Sequence, residues 1–186
     1  MLSAFSGRRA ARDRAFFALG ICTGFRVSEL CSLTLADVME NGTIRKSLTV
    51  SSRRMKGKHA SRTVDLSPEV KKHLAEAVRE LNRRGFFMPD TKLFGFGRVR
   101  AYQILRAAAN RKKVSGRIGT HSMRKTFAHN LHQGFLRQRV KGIHLDPILE
   151  TSRALGHTMI QNTVAYLPAS AEITSRAVLQ LGRLLQ

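Results

Sequence analysis

An α+β domain, mostly α-helical with a small antiparallel β-sheet set between helices, is predicted by three observations. Apolar residues recur at helical spacing along most of the chain, and β-branched residues concentrate in one stretch from Thr43 to Leu66. No repeat, low-complexity tract or long linker divides the 186 residues, a length that fits one domain and buries roughly 70% of its unfolded surface. Apolar residues make up 42% of the composition, too many for the disordered class, and no apolar run approaches the ~18 residues of a membrane span.

The elements follow in order. Ala15, Phe16, Leu19 and Ile21 give helical spacing from Ala10 to Cys22, and Gly24 is a stop signal. Val27, Leu30, Cys31 and Leu33 restart the pattern as a second short helix, and Asn41-Gly42 marks a turn. Thr43 to Val50 and Ser61 to Leu66 read as strands around the basic turn Arg53-Arg54-Met55-Lys56-Gly57-Lys58. Ser67-Pro68-Glu69 opens a helix with a cap residue followed by proline, ending before Gly85. Helical patterns return at Arg98 to Arg111, Ser122 to Leu131, Pro147 to Leu155 and Ile173 to Leu185.

Charge points to a partner. Lys and Arg number 33 against 12 Asp and Glu, a formal net charge of +21, and such a field concentrates polyanions. An anionic membrane surface favours one basic amphipathic helix, whereas here the basic residues run along the whole chain, which favours nucleic acid. The Arg-rich opening, Met1 to Arg14, has the composition of a transit peptide but is read as part of the fold. Cys22 and Cys31 make no disulfide framework, and nothing resembles a secretory signal, so a reducing, cytoplasmic compartment is expected. Both cysteines lie on apolar helix faces and are read as buried structural thiols.

Thr23-Gly24-Phe25-Arg26-Val27-Ser28-Glu29-Leu30 places an arginine on a glycine turn before a helix. Its planar fork matches two phosphate oxygens, and Glu29, one turn on, can fix its orientation. On its own the pair reads more readily as a weak surface contact. In His121-Ser122-Met123-Arg124 a spacing of three puts imidazole and guanidinium on one helix face, where both can reach one phosphate. Leu155-Gly156-His157 precedes Tyr166 by nine residues, and tyrosine is a covalent nucleophile in some enzymes.

Taken in order, these strings, with Lys56-Gly57-Lys58 leading to Arg62-Thr63-Val64, resemble the tyrosine recombinase (phage integrase) family. The likeness covers nearly the whole chain as that family's C-terminal catalytic domain. It implies a nucleophile, Tyr166, that attacks a DNA phosphodiester to leave a 3′-phosphotyrosyl link and a free 5′-hydroxyl. The link keeps the bond energy, so no ATP and no other cofactor is implied. Arg26 and Arg124 would clamp the non-bridging oxygens and His157 would add a donor. His121 would take the tyrosine proton, and a turn lysine, Lys56 or else Lys58, would protonate the leaving oxygen. Arg53, Arg54, Lys58 and Lys125 are expected to contact DNA. The partners implied are double-stranded DNA and three further copies of the chain on paired sites, in a bacterial or phage-host cell at the nucleoid.

Departures from the family pattern are informative. Lys125 stands where many members have His, and 33 residues separate Arg124 from His157, which predicts an extended loop or helix over Gln133 to Asp146. Arg26 comes too early to leave room for the N-terminal core-binding domain that members usually carry, so a single catalytic domain over 1–186 is expected, either cut from a longer protein or standing as a minimal recombinase like the short fimbrial-switch invertases. Ile173 to Gln186 presents an apolar face that would pack on its own domain or, by family precedent, pass to a neighbouring subunit. His129, His132 and His144 lack acidic or cysteine ligands in register, so no metal is expected. Type IB topoisomerases share the chemistry, but the length and the Leu-Gly-His to Tyr spacing favour a recombinase. The contrasting class is a DNA-binding regulator of the same fold without turnover, against which every expected catalytic residue type is present.

Overall fold

The computed structural model describes residues 1–51, 61–116 and 118–167. After a short 3-10 turn, Leu2–Ala4, come α1 (Ala10–Thr23), α2 (Val27–Ser32) and α3 (Leu35–Val38). Strands β1 (Met39–Glu40), β2 (Thr43–Ile44), β3 (Ser47–Val50) and β4 (Arg62–Asp65) follow, then α4 (Pro68–Arg83), α5 (Arg98–Arg111), α6 (Thr120–Val140), α7 (Pro147–Leu155) and α8 (Gln161–Val164). The α+β class is as the sequence predicts.

Helix α1 runs through the centre of the domain, with α4 and α6 packed on it. Its apolar and polar residues do not separate round the axis, because Arg12 and Thr23 are buried alongside Ala15, Phe16 and Leu19. Phe16 meets Phe94 and Phe96 edge-on at 5.3 and 5.1 Å, which locks the loop before α5 onto α1. Gly20 lets α6 approach closely: a Cβ there would lie 2.5 Å from Met123 Sδ. Helix α4 is amphipathic, burying Val70, Leu74, Ala77 and Val78, and Ser67 caps it by accepting from the Val70 amide at 3.4 Å.

Three expectations are corrected. The strand from Thr43 to Val50 is two strands: Thr43–Ile44 pairs with Met39–Glu40 around Asn41-Gly42, and Ser47–Val50 pairs with β4. Asn41 and Gly42 have φ of 49° and 75°, the two positive values a two-residue hairpin turn demands, so the turn was legible but its first strand, only two residues long, was not. The helix expected over Ser122 to Leu131 spans Thr120–Val140, resolving the loop-or-helix alternative for Gln133 onward as helix as far as Val140. Cys22 is exposed rather than buried, because Leu19 and Thr23 take the inward positions of the last turn of α1. Cys31 is half-buried, and desolvation pushes its thiol up to about 11. The basic turn (Arg53, Arg54, Lys56, Lys58) and the helix expected over Ile173 to Leu185 lie outside the described residues.

Candidate active site

The site forms where the C-terminal ends of α1 and α7 meet. Helix α1 stops because Gly24 turns left-handed, φ 61°, and Phe127 packs so closely that a Cβ at Gly24 would lie 2.2 Å from its ring. Phe25 is then buried, and Arg26 becomes the N-cap of α2. Glu29 makes two bonds: its Oε2 accepts from the Arg26 backbone N–H at 2.7 Å and its Oε1 accepts from Arg26 Nη1 at 3.0 Å. Glu29 is 1% exposed, so this is no weak surface pair; a desolvated carboxylate holds the guanidinium and closes the helix start together.

Arg124, on the buried face of α6, donates from Nη1 to the Gly24 carbonyl and from Nη2 to the Leu155 carbonyl at 2.8 Å. These are main-chain oxygens left unpaired at helix C-termini, where the helix dipole also favours a cation. The same Nη2 lies 3.0 Å from His157 Nε2. Burial lowers the Arg124 pKa, as does Arg26, while the neighbouring Tyr166 hydroxyl and Glu29 raise it.

His157 follows Gly156, whose φ of 64° ends α7 as Gly24 ends α1. Its pKa is pushed down to about 4 by burial and then by Arg124, Arg26 and Arg62, so the ring is neutral near pH 7. Arginine can only donate, so Nε2 accepts and the ring proton is assigned to Nδ1, which donates to Thr163 Oγ1 at 2.8 Å. Tyr166, half-buried just after α8, sets its ring edge-on to His157 with centroids 5.5 Å apart.

Arg26, Glu29, Arg124, His157 and Tyr166 are thus brought into one cluster. His121 is exposed at the second position of α6, one turn before Arg124, and makes no hydrogen bond to the cluster among the described residues. Lys125 is exposed next to it. Sequence reasoning gave no site role to two residues of the cluster. Thr163 is fully buried beneath His157. Arg62, 8% exposed, opens β4; strand alternation puts it on the same face as Val64, a signal that was present and went unused. Among the described residues no group of three or more His, Cys, Asp or Glu side chains is placed to hold a metal ion.

The family model described as "Phage integrase family" matches residues 1–172. The chain belongs to the phage integrase family. Two curated members are similar to it: the probable integrase/recombinase YoeC of Bacillus subtilis (strain 168) is 26% identical over 174 residues, covering 93% of this chain and 86% of its own length. The tyrosine recombinase XerC of Thermodesulfovibrio yellowstonii is 31% identical over 166 residues, 83% of this chain and 49% of that protein. Among solved structures, the XerH site-specific recombinase in its post-cleavage complex with a palindromic difH substrate superposes with a TM-score of 0.72 at 21% identity. That match covers 95% of this chain and 49% of XerH and shows the shared fold. The chain therefore spans about half the length of the XerC and XerH proteins that it matches.

Proposed function

We propose that this chain cleaves and rejoins double-stranded DNA as the catalytic domain of a site-specific tyrosine recombinase, with Tyr166 as nucleophile. The observation that carries the reading is convergence: the guanidiniums of Arg26 and Arg124 meet a neutral imidazole and a phenol, with Arg62 behind them and the buried Glu29 carboxylate beside Arg26. Such a pocket suits a phosphodiester, whose charge grows on the non-bridging oxygens as a fifth oxygen approaches phosphorus.

In the reaction, the Tyr166 oxygen bonds to phosphorus as the bond to the 5′-oxygen breaks. The phenolic proton passes to a base, for which His121 is the candidate, and the leaving oxygen takes a proton from a basic-turn lysine, Lys56 or Lys58. Arg26 and Arg124 hold the two non-bridging oxygens. When Arg124 turns its Nη2 toward phosphate, His157 Nε2 loses its donor. The ring proton then moves to Nε2, where it can serve the phosphate, and Thr163 reverses its hydroxyl to donate to Nδ1. A 5′-hydroxyl from another strand reverses the sequence and completes an exchange. Strand exchange between two duplexes calls for four copies of the chain.

The test is an SDS-resistant protein–DNA adduct on nicked duplexes drawn from the DNA flanking the gene. Wild type and Tyr102→Phe should form the adduct, and Tyr166→Phe should bind DNA equally yet form none. An adduct that survives in Tyr166→Phe and vanishes in Tyr102→Phe overturns the assignment. Tight binding by wild type with no adduct on any duplex favours a DNA-binding regulator of the same fold.

A further inference from the structure

We propose that Arg62 is a positioning residue that holds the turn bearing Arg26 and the turn bearing His157 at a fixed separation. The proposal rests on the recombinase reading of the site. Arg62 Nη1 donates to the Ala154 carbonyl at 2.9 Å and Nη2 to the Thr23 carbonyl at 3.2 Å, while its guanidinium carbon lies 4.5 Å over the centre of the Phe25 ring. Arg124 takes the next carbonyl along each segment, Gly24 and Leu155. Two guanidiniums therefore cross the same gap as successive rungs between the ends of α1 and α7.

The rungs differ in what else they touch. Arg124 reaches His157 and the Tyr166 hydroxyl, so it stands at the reacting edge. Arg62 meets main-chain oxygens and an aromatic face, and its buried Nε has no partner among the described residues. Its two donors face carbonyls on different helices, a span for planar guanidinium and not for a single ammonium. Burial, and then Arg124, brings its pKa down to about 10, leaving it charged near neutrality in a place where a cation is costly. An apolar side chain of that length would fill the volume without that cost, which argues that the bridge is the reason for the arginine.

Arg62→Lys and Arg62→Met, in the full chain, test this against a phosphate contact and against simple stability. Single-turnover adduct formation at saturating DNA should fall about 30- to 100-fold in both, since a displacement near 1 Å is enough for ~10²-fold. DNA affinity should stay within about threefold and its salt dependence should be unchanged. A salt slope lower by ~0.9 would make Arg62 a phosphate ligand instead and overturn the proposal. So would a variant that melts lower but cleaves at the wild-type rate per folded molecule. If wild type forms no adduct, the recombinase reading fails on its own account and amide exchange decides this one. In Arg62→Met, protection should drop together at residues 23–26 and 154–157 while α4 keeps its own; unchanged protection at both segments would refute the bridge.

Discussion

Replacing Glu29 by Gln removes one negative charge from the side of three guanidiniums while keeping the size and the helix start. The carboxylate makes two bonds, at 2.7 Å to the Arg26 amide and at 3.0 Å to its guanidinium. A glutamine oxygen can keep the first. The second becomes an amide N–H facing another N–H, so a charge-assisted bond worth about 1.5 to 3 kcal/mol is lost. Glu29→Ala loses the amide bond as well, adding about 1 kcal/mol. For a domain of this size 1 kcal/mol corresponds to ~2 to 4 °C in Tm, so Glu29→Gln should melt about 3 to 12 °C lower and Glu29→Ala a few degrees lower again. Differential scanning calorimetry reads the stability and adduct formation at saturating DNA reads the chemistry. The freed Arg26 guanidinium should cost cleavage rate beyond any loss of binding. A Glu29→Gln protein that melts with wild type and cleaves within twofold of it would refute the claim that a buried ion pair sets Arg26.

Gly24→Ala should lose about 2 to 5 kcal/mol, combining ~1 to 2 for a left-handed alanine with ~1 to 3 for the overlap with Phe127. Urea unfolding checks it, and adding Phe127→Ala should recover only the steric share; full recovery would mean that the backbone conformation carries no penalty. His157 titrates near 4 in the folded chain against 6.5 in the unfolded one, so between those values the unfolded chain binds more protons. Its contribution to stability is therefore complete above about pH 6.5 and is lost as pH falls toward 4. The imidazole resonances should stay in the neutral form down to about pH 5, and a midpoint near 6.5 would refute the packing of that ring against the arginines.

Much of this was legible because punctuation in the chain is local chemistry. Gly24, Ser67-Pro68 and Gly156 each act where they stand through backbone freedom or capping, and the helices they bound were read closely. Arg26, Glu29, Arg124, His157 and Tyr166 were legible as a set through their order along the chain. What the sequence hid was long-range. Arg62 finds its partners at Thr23 and Ala154, and nothing local to β4 names either carbonyl. The exposure of Cys22 depends on which side of α1 meets α6, a matter of helix packing that an unpatterned apolar helix does not disclose. The β1 strand is two residues long, too short for alternation to register.

The two arginine rungs have a consequence for when a site of the proposed kind can act. Their acceptors are carbonyls at positions 23, 24, 154 and 155, and their donors sit on β4 and α6, so bonds join parts of the chain up to 100 residues apart. No shorter stretch of polypeptide contains the pocket. A chain still being synthesised, or one with α7 detached, carries Arg26 and its basic charge but lacks the cage of guanidiniums around His157. On the proposed recombinase reading, competence to cleave would then depend on completion of the fold itself.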